Sequence, residues 1–308
     1  MSKPLVQIGV TVYNFEPFLR QCLDGIVMQK TNFEFEAIVH DDVSTDKSRE
    51  IISEYAQKYP HIIRPIFATE NKWSKHTLYS YLDSLLTAKY LCTLDGDDFW
   101  TDPLKLQKQV DFLEANTDVA LCHANSKVLV GDIMHEAKNK SFRQDMLEDL
   151  LLRDNIFTAT VMVRTDLWLK AEEELQSVFG NHPLPFNDHS SWAFLALHHK
   201  FHYMDDVVSC YRILPESACH TNDVVKNYKY SSEVAYFHQA MFDYCRKRRA
   251  FSSGFIKDFY ETLFHLRKRA LREAGLRIGY PQIWELIKLL PYWPMVMYRW
   301  LKRKANGK

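Results

Sequence analysis

The sequence predicts an α/β fold: a mostly parallel sheet flanked by helices, followed by a helical, basic C-terminal extension. Three observations carry that expectation. Apolar strand-like runs alternate with helix-period segments from the start of the chain. Polar clusters recur directly after the strand runs. Beyond about residue 224 the pattern reads helical and becomes increasingly basic.

The elements follow in order. "VQIGVTVYN" (6–14) reads as a buried strand and "FLRQCLDGIVMQ" (18–29) as a helix. "FEAIVHDD" (35–42) is a second strand, and "STDKSREIISEYAQKY" (44–59) a helix with Ser44 and Asp46 as capping candidates. "IIRPIFAT" (62–69), a helix across "TLYSYLDSLLTA" and the strand "YLCTL" complete a β-α-β-α-β-α-β order. A helix, "LKLQKQVDFLEAN", then leads to the strand "VALCHANSKVLV" and a polar loop at 131–143. "TATVMVR" (158–164) reads as a strand, 166–178 as a helix, "HSSWAFLALHH" as a helix and "FHYMDDVVSCYRIL" as a strand.

Parallel sheets of this kind bind ligands beyond the carboxyl ends of their strands. The polar clusters fall there: Tyr13-Asn14 after the first strand, Asp41-Asp42 after the second, Asn71 after the third. After the fourth, "LDGDDFW" places Asp95, Asp97 and Asp98 within four positions. That much like charge costs free energy unless a cation or a network of donors compensates it.

Composition narrows the rest. Lys+Arg and Asp+Glu are equal at 39 each, yet 16 basic residues against 5 acidic ones lie from Met241 onward. An acidic body with a basic tail points to an anionic partner for the tail, a membrane surface or nucleic acid. Six cysteines show neither CxxC nor zinc spacing, and Cys92 and Cys122 sit in apolar runs. Reduced core thiols fit a cytoplasmic compartment. The N-terminus lacks the apolar stretch of a signal peptide, and no apolar run reaches the roughly 20 residues of a membrane span.

No GxGxxG follows the first strand, and no GxxxxGK[ST] occurs. A phosphorylated ligand must then be held without a glycine-rich cradle. Carboxylates holding a divalent cation supply the alternative. Mg²⁺ and Mn²⁺ take one or two Asp oxygens and leave positions for ligand phosphates.

"TVYNFEPFLRQCLDGIVMQ", "HDDVSTDKSREII", "LDGDDFWTDPLKLQKQ" and "DDVVSCYRILPESACH" together resemble, in order, the motifs of the family 2 glycosyltransferases with a GT-A fold. The match spans about residues 5 to 220. The resemblance implies inverting transfer from a nucleotide-diphosphate sugar, most often a UDP-sugar, to an acceptor hydroxyl, with Mn²⁺ or Mg²⁺. It implies Thr11, Tyr13 and Asp41 at the nucleobase, with Asp41 meeting the base. Asp95 would stand at the ribose or the metal's water shell, and Asp97 would be the direct metal ligand. Asp188, in "PFNDHSSW", takes the place of the catalytic base, with Asn187 where many members carry Glu. Tyr211-Arg212 matches a pair whose region closes over the diphosphate, so Arg212 is expected at the nucleotide sugar. Leu214 stands where many relatives have His, which leaves His220 as a candidate for a phosphate or metal role.

Other readings stand beside these. Asp41-Asp42 and Asp188 fit helix caps as well, and Trp73 and Trp100 fit either a ligand stack or a core. A sugar-phosphate nucleotidyltransferase uses a related sheet and metal, but "VYNFEPF" lacks its glycine-rich loop. A non-catalytic nucleotide-sugar-binding protein would be signalled by lost aspartates, and all are present. The expected division is 1–222 as the catalytic domain (nucleotide-sugar half 1–100, acceptor half 101–222) and 223–308 as the helical extension. Within the extension, 281–304 interleaves Trp284, Tyr292, Trp293, Tyr298 and Trp300 with apolar residues and ends in Lys302, Arg303 and Lys304. That pattern fits a membrane-interface segment or a packed terminal helix. The expected partners are therefore the donor, a glycan or lipid-linked glycan acceptor in surface polysaccharide or glycolipid synthesis, and an anionic membrane met peripherally. Nucleic acid is not among them.

Overall fold

The computed structural model describes residues 3–137, 145–180, 188–215 and 223–273. Asn187, His220 and the segment 281–304 lie outside these. Two compact units form. The first comprises Met1–Phe142, Asn155–Pro183 and Phe194–Ile213; the second comprises Arg143–Asp154, Leu184–Ala193 and Leu214–Lys308.

The first unit opens with β1 (Val6–Val12), α1 (Glu16–Val27), β2 (Phe35–Asp41), α2 (Ser48–Lys58), β3 (Ile63–Phe67), α3 (Leu78–Asp83) and β4 (Tyr90–Asp95). Strands β3, β2, β1 and β4 lie side by side in that order, all parallel. Val6, Ile8, Val10 and Val12 of β1 are buried, as are Ala37 and Val39 of β2 and Cys92 and Leu94 of β4. Helices cover such a sheet on both faces, which is why these strands read as apolar runs rather than alternating ones. Leu19, Cys22, Leu23 and Ile26 of α1 pack onto the same core.

The unit continues with β5 (Phe99–Trp100), α4 (Lys105–Ala115), β6 (Val119–Val130), β7 (Ile133–Glu136), β8 (Met162–Arg164), α6 (Thr165–Phe179) and β9 (Lys200–Ile213). Among the described residues the sheet has nine strands in the order β3-β2-β1-β4-β8-β6-β9-β5, with β7 paired to β6. Strand β8 runs antiparallel to both β4 and β6, while β9 is parallel to β6.

Three elements differ from the sequence expectation. The loop expected at 131–143 begins with a hairpin, because Gly131 adopts φ 57° and lets β7 fold back on β6. Thr158–Thr160 is a 3-10 turn, and only Met162–Arg164 pairs as a strand. The two-residue β5, too short to show periodicity, pairs antiparallel with Ser209 and Cys210 of β9.

Strand β5 is anchored from both sides. The Trp100 indole donates to Ala159 O at 2.7 Å, and Lys105 Nζ lies 4.3 Å from the ring centroid. That ammonium is fully buried and donates to Gln109 Oε1 at 2.8 Å, and burial pulls its pKa below the usual lysine range. Opposite, Gly25 of α1 approaches so closely that a Cβ there would sit 2.9 Å from the main-chain N and O of Trp100.

The second unit holds α5 (Met146–Leu152), in a stretch to which the sequence analysis assigns no element, the start of α7 (Asp188–His198), α8 (Val224–Cys245) and α9 (Ser253–Glu273). Asp223 caps α8 by accepting from Val225 N and Lys226 N. Phe242 of α8 stacks on Phe259 of α9 with centroids 4.1 Å apart. Imidazoles tie α5 in: His189 Nε2 lies 2.8 Å from Leu150 O, and His238 Nδ1 lies 2.8 Å from Leu151 O. Burial drives the His238 pKa down to about 3. Among the described residues no helix is long and apolar enough to cross a membrane.

Gly25→Ala forces the new methyl into backbone, which cannot rotate away. The substitution should cost about 1–3 kcal/mol, the usual penalty of overpacking, read as a lower urea midpoint with an unchanged slope.

Candidate active site

The site begins where β1 and β4 end together. Thr11 and Asp95 are paired in register, and the Thr11 hydroxyl donates to Asp95 Oδ1. One residue on, Gly96 N donates to Thr11 O at 2.9 Å. A Cβ at Gly96 would lie 3.0 Å from the Phe15 ring and 3.1 Å from Thr11 O, so glycine lets the turn sit against β1. Asp98 N closes the turn on Asp95 O at 3.0 Å.

This turn grades the three carboxylates by depth. Asp95 is exposed, Asp97 is half-buried and Asp98 is buried. Burial first, and the charge of Asp95 second, push the Asp97 pKa up to about 7. Burial and then Asp97 raise Asp98 well above the carboxylate range. The Asp98 side chain keeps one strong donor, the Arg212 main-chain N–H at 2.7 Å from Oδ1.

Arg212, expected at the nucleotide sugar, has most of its guanidinium engaged by the protein. Its Nε donates to Asp97 O at 2.9 Å and its Nη2 to Gln21 Oε1 at 2.8 Å. Its Cζ lies 4.6 Å from the Phe18 ring centroid and 5.6 Å from that of Phe99.

Asp41 also departs from the expectation that it meets a base. Its side chain is fully buried, receives Arg49 Nε at 2.6 Å, and accepts from Ser44 N at 3.2 Å. A carboxylate at the last position of β2 points into the fold here, and the next residue turns back toward the loop after β3. Asp42 accepts from Lys72 N at 2.7 Å on one oxygen and from Trp73 N at 2.9 Å on the other. Asn71 Nδ2 completes the junction by donating to Asp42 O at 3.1 Å. Asp42 therefore organises the loop that leaves Trp73 half exposed, a role the sequence reading assigned to neither residue. The adjacent carboxylates were the available signal; their separate partners were not visible in it.

Tyr13 is exposed directly after β1. Asn14 beside it adopts φ 56°, donates from its main chain to Ser44 Oγ at 2.9 Å, and accepts from Thr45 N at 2.7 Å. Asp46 joins the same two loops by accepting from Ser48 N at 2.9 Å and Glu16 N at 2.8 Å. Thr11, Tyr13, Asp95 and Asp97 are thus brought to one end of the sheet. Asp188 belongs to the second unit, at the first residue of α7, where its Oδ1 accepts from His189 N at 2.8 Å.

No group of three or more His, Cys, Asp or Glu side chains forms a cation cage among the described residues. The Asp95–Asp97 pair nonetheless fits Mg²⁺ or Mn²⁺. These ions bind through one or two carboxylates and keep open positions, and the mutual repulsion at Asp97 is what a cation would relieve.

Residues 7–169, just over half of the chain, match the model of Glycosyl transferase family 2. The chain belongs to this family. An uncharacterized glycosyltransferase of Methanocaldococcus jannaschii is 26% identical over 220 residues, 69% of this chain and 72% of that protein. An uncharacterized protein of Mycobacterium tuberculosis is 37% identical over 153 residues, 49% of this chain and 44% of that protein. The match therefore spans less than half the length of the mycobacterial relative. Among solved structures, the mannosyltransferase PcManGT from Pyrobaculum calidifontis, in complex with GDP-Man and Mn²⁺, aligns with a TM-score of 0.54 at 17% identity, over 96% of this chain and 83% of that one. S. aureus TarS in complex with UDP-GlcNAc aligns with a TM-score of 0.52 at 14% identity, over 87% and 89%. Both share the fold of this family 2 chain.

Burial of Asp97, and the Asp95 charge beside it, have a consequence for stability. The Asp97 carboxyl has a pKa of about 7 in the fold against 3.8 unperturbed, so the native state holds its proton more tightly. Without metal, the wild type should lose stability relative to Asp97→Asn as pH rises through that window. Melts in EDTA should show the variant gaining on wild type from about pH 4, where Asp97 is protonated in the native state and only partly ionised in the unfolded one, up to about pH 8, where it is mostly ionised in both. An unchanged difference across pH would mean that the turn does not strain Asp97.

Proposed function

We propose that this family 2 chain is an inverting glycosyltransferase that moves a sugar from a nucleotide-diphosphate donor onto an acceptor hydroxyl. One observation carries the reading: Thr11, Tyr13, Asp95 and Asp97 share the carboxyl end of the sheet, with Asp95 held by the Thr11 hydroxyl and Asp97 half-buried beside it in one turn. Family membership supports glycosyl transfer, and the same fold has been solved with UDP-GlcNAc in one protein and with GDP-Man and Mn²⁺ in another.

In this reading Thr11 and Tyr13 line the nucleobase pocket and Asp95 faces the ribose or the metal's water shell. Asp41 acts indirectly, since its pairing with Arg49 holds the end of β2 in place. Asp97, with Asp95, holds Mn²⁺ or Mg²⁺, which when bound neutralises charge on the departing diphosphate. Asp188 takes the acceptor proton as the hydroxyl oxygen bonds to C1, and the bond from C1 to the diphosphate oxygen breaks on the opposite face. Oxocarbenium character is expected at C1, as in glycoside hydrolysis. A cytoplasmic enzyme working on a lipid-linked surface glycan, with 281–304 at an anionic membrane, remains part of the proposal on sequence grounds alone.

Calorimetry tests the donor side. UDP should bind more tightly with Mn²⁺ than in EDTA, and Asp97→Ala should abolish the difference. Equal affinities in the wild type would remove the metal from the reading. A thermal-shift series of UDP- and GDP-sugars with Mn²⁺ then identifies the donor as the ligand giving the largest rise.

The base is tested by turnover. Asp188→Asn should slow it by about 10²–10⁴-fold with donor affinity nearly unchanged, the usual worth of a general base. Activity within about threefold of wild type would leave Asp188 as a helix-end residue only.

A further inference from the structure

Arg212, like Asp41, has contacts that do not match a ligand-binding role. A guanidinium that receives a diphosphate presents its fork outward. Here two of its three nitrogens are committed inward, Nε to Asp97 O at 2.9 Å and Nη2 to Gln21 Oε1 at 2.8 Å. The flat group is further held against Phe18 and Phe99.

We infer that Arg212, braced by Gln21 and Phe18 of α1, is a positioning residue that sets the Asp97 carboxylate for the cation, rather than a ligand of the donor. The inference rests on the metal reading above for its effect on nucleotide binding, and on the contacts alone for its effect on the turn.

The geometry supports this in two steps. Arg212 grips both sides of the aspartate turn: its main-chain N–H holds the Asp98 carboxylate at 2.7 Å, and its side chain holds the Asp97 carbonyl. With the Asp97 carbonyl and the next side chain both fixed, the direction of the Asp97 Cα–Cβ bond is fixed too. The brace comes from far away in sequence. Antiparallel pairing of Phe99 with Cys210 brings the end of β9 beside the turn, and α1 supplies Gln21 and Phe18 from the other side. Lysine cannot replace the group, because a single ammonium lacks the planar fork that reaches Asp97 and Gln21 in two directions while stacked on an aromatic ring.

Three proteins decide the matter: wild type, Arg212→Lys and Gln21→Leu. Each is titrated with UDP in Mn²⁺ and in EDTA, and hydrogen exchange is followed over residues 94–99. Gln21 is exposed, so its substitution leaves the fold intact even if Arg212→Lys does not. Partners that orient metal ligands typically contribute 10–100-fold in metal affinity, so Arg212→Lys should cut the Mn²⁺-dependent gain in UDP affinity by about tenfold or more. Affinity in EDTA should stay within about twofold, and exchange over the turn should quicken. Gln21→Leu should produce a smaller loss of the same kind. Should both variants instead leave exchange unaltered while Arg212→Lys weakens UDP equally with and without Mn²⁺, Arg212 is a donor ligand and the inference is overturned. Unchanged exchange and unchanged affinity in both variants overturn it as well. If wild type shows no Mn²⁺ gain but exchange quickens in both variants, the metal reading falls and the bracing of the turn stands.

Discussion

Like charge concentrated at the end of a buried parallel strand is the constraint around which the first unit is arranged. Asp95, Asp97 and Asp98 leave β4 within one turn, and water reaches them unequally. Carboxylates in that position need donors, a proton or a cation. The fold supplies donors to the outermost and innermost of them, Thr11 to Asp95 and the Arg212 main chain to Asp98. Asp97, between them, is left with a pKa near neutrality because neither solvation nor a direct charge partner compensates it fully. A cation bound beside Asp97 would relieve that cost.

The neighbouring strand end solves the same problem without a ligand. Asp41 and Asp42 are both buried, and each has its own partners. Arg49 neutralises Asp41, and two main-chain N–H groups of the loop after β3 satisfy Asp42. The two acidic strand ends thus differ in one carboxylate, Asp97, whose pKa is raised to about 7 by burial and the Asp95 charge, and a perturbed group of that kind points to a functional site more sharply than the count of carboxylates does.

Arginines do different work at the two places. Arg49 meets a carboxylate directly and lies 5.6 Å from the Phe67 ring, closing a charge pair inside the fold. Arg212 meets a carbonyl, an amide and two aromatic rings, and leaves the adjacent carboxylate to something else. Aromatic faces hold a guanidinium without neutralising it, so its field still reaches Asp97.

Much of this was legible in the sequence, and for a local reason. Alternation of strand and helix periods, the absence of a glycine-rich cradle, and the polar residues at four successive strand ends all depend on spacings of a few residues, so they showed the parallel sheet and the end of it where the polar residues gather. That Thr11, Tyr13, Asp95 and Asp97 lie at one end of the sheet followed from that placement; the roles proposed for them come from the family resemblance. What tertiary structure decided was direction and pairing. Whether Asp41 or Asp42 turns inward depends on Arg49, Lys72 and Trp73. Where Arg212 points depends on Gln21, Phe18 and an Asp97 carbonyl 115 residues away. Strand β5 exists only because β9 arrives beside two residues that carry no periodicity of their own. A carboxylate or a guanidinium is committed by whichever long-range partner reaches it first in the packed chain, and one-dimensional spacing holds no record of that.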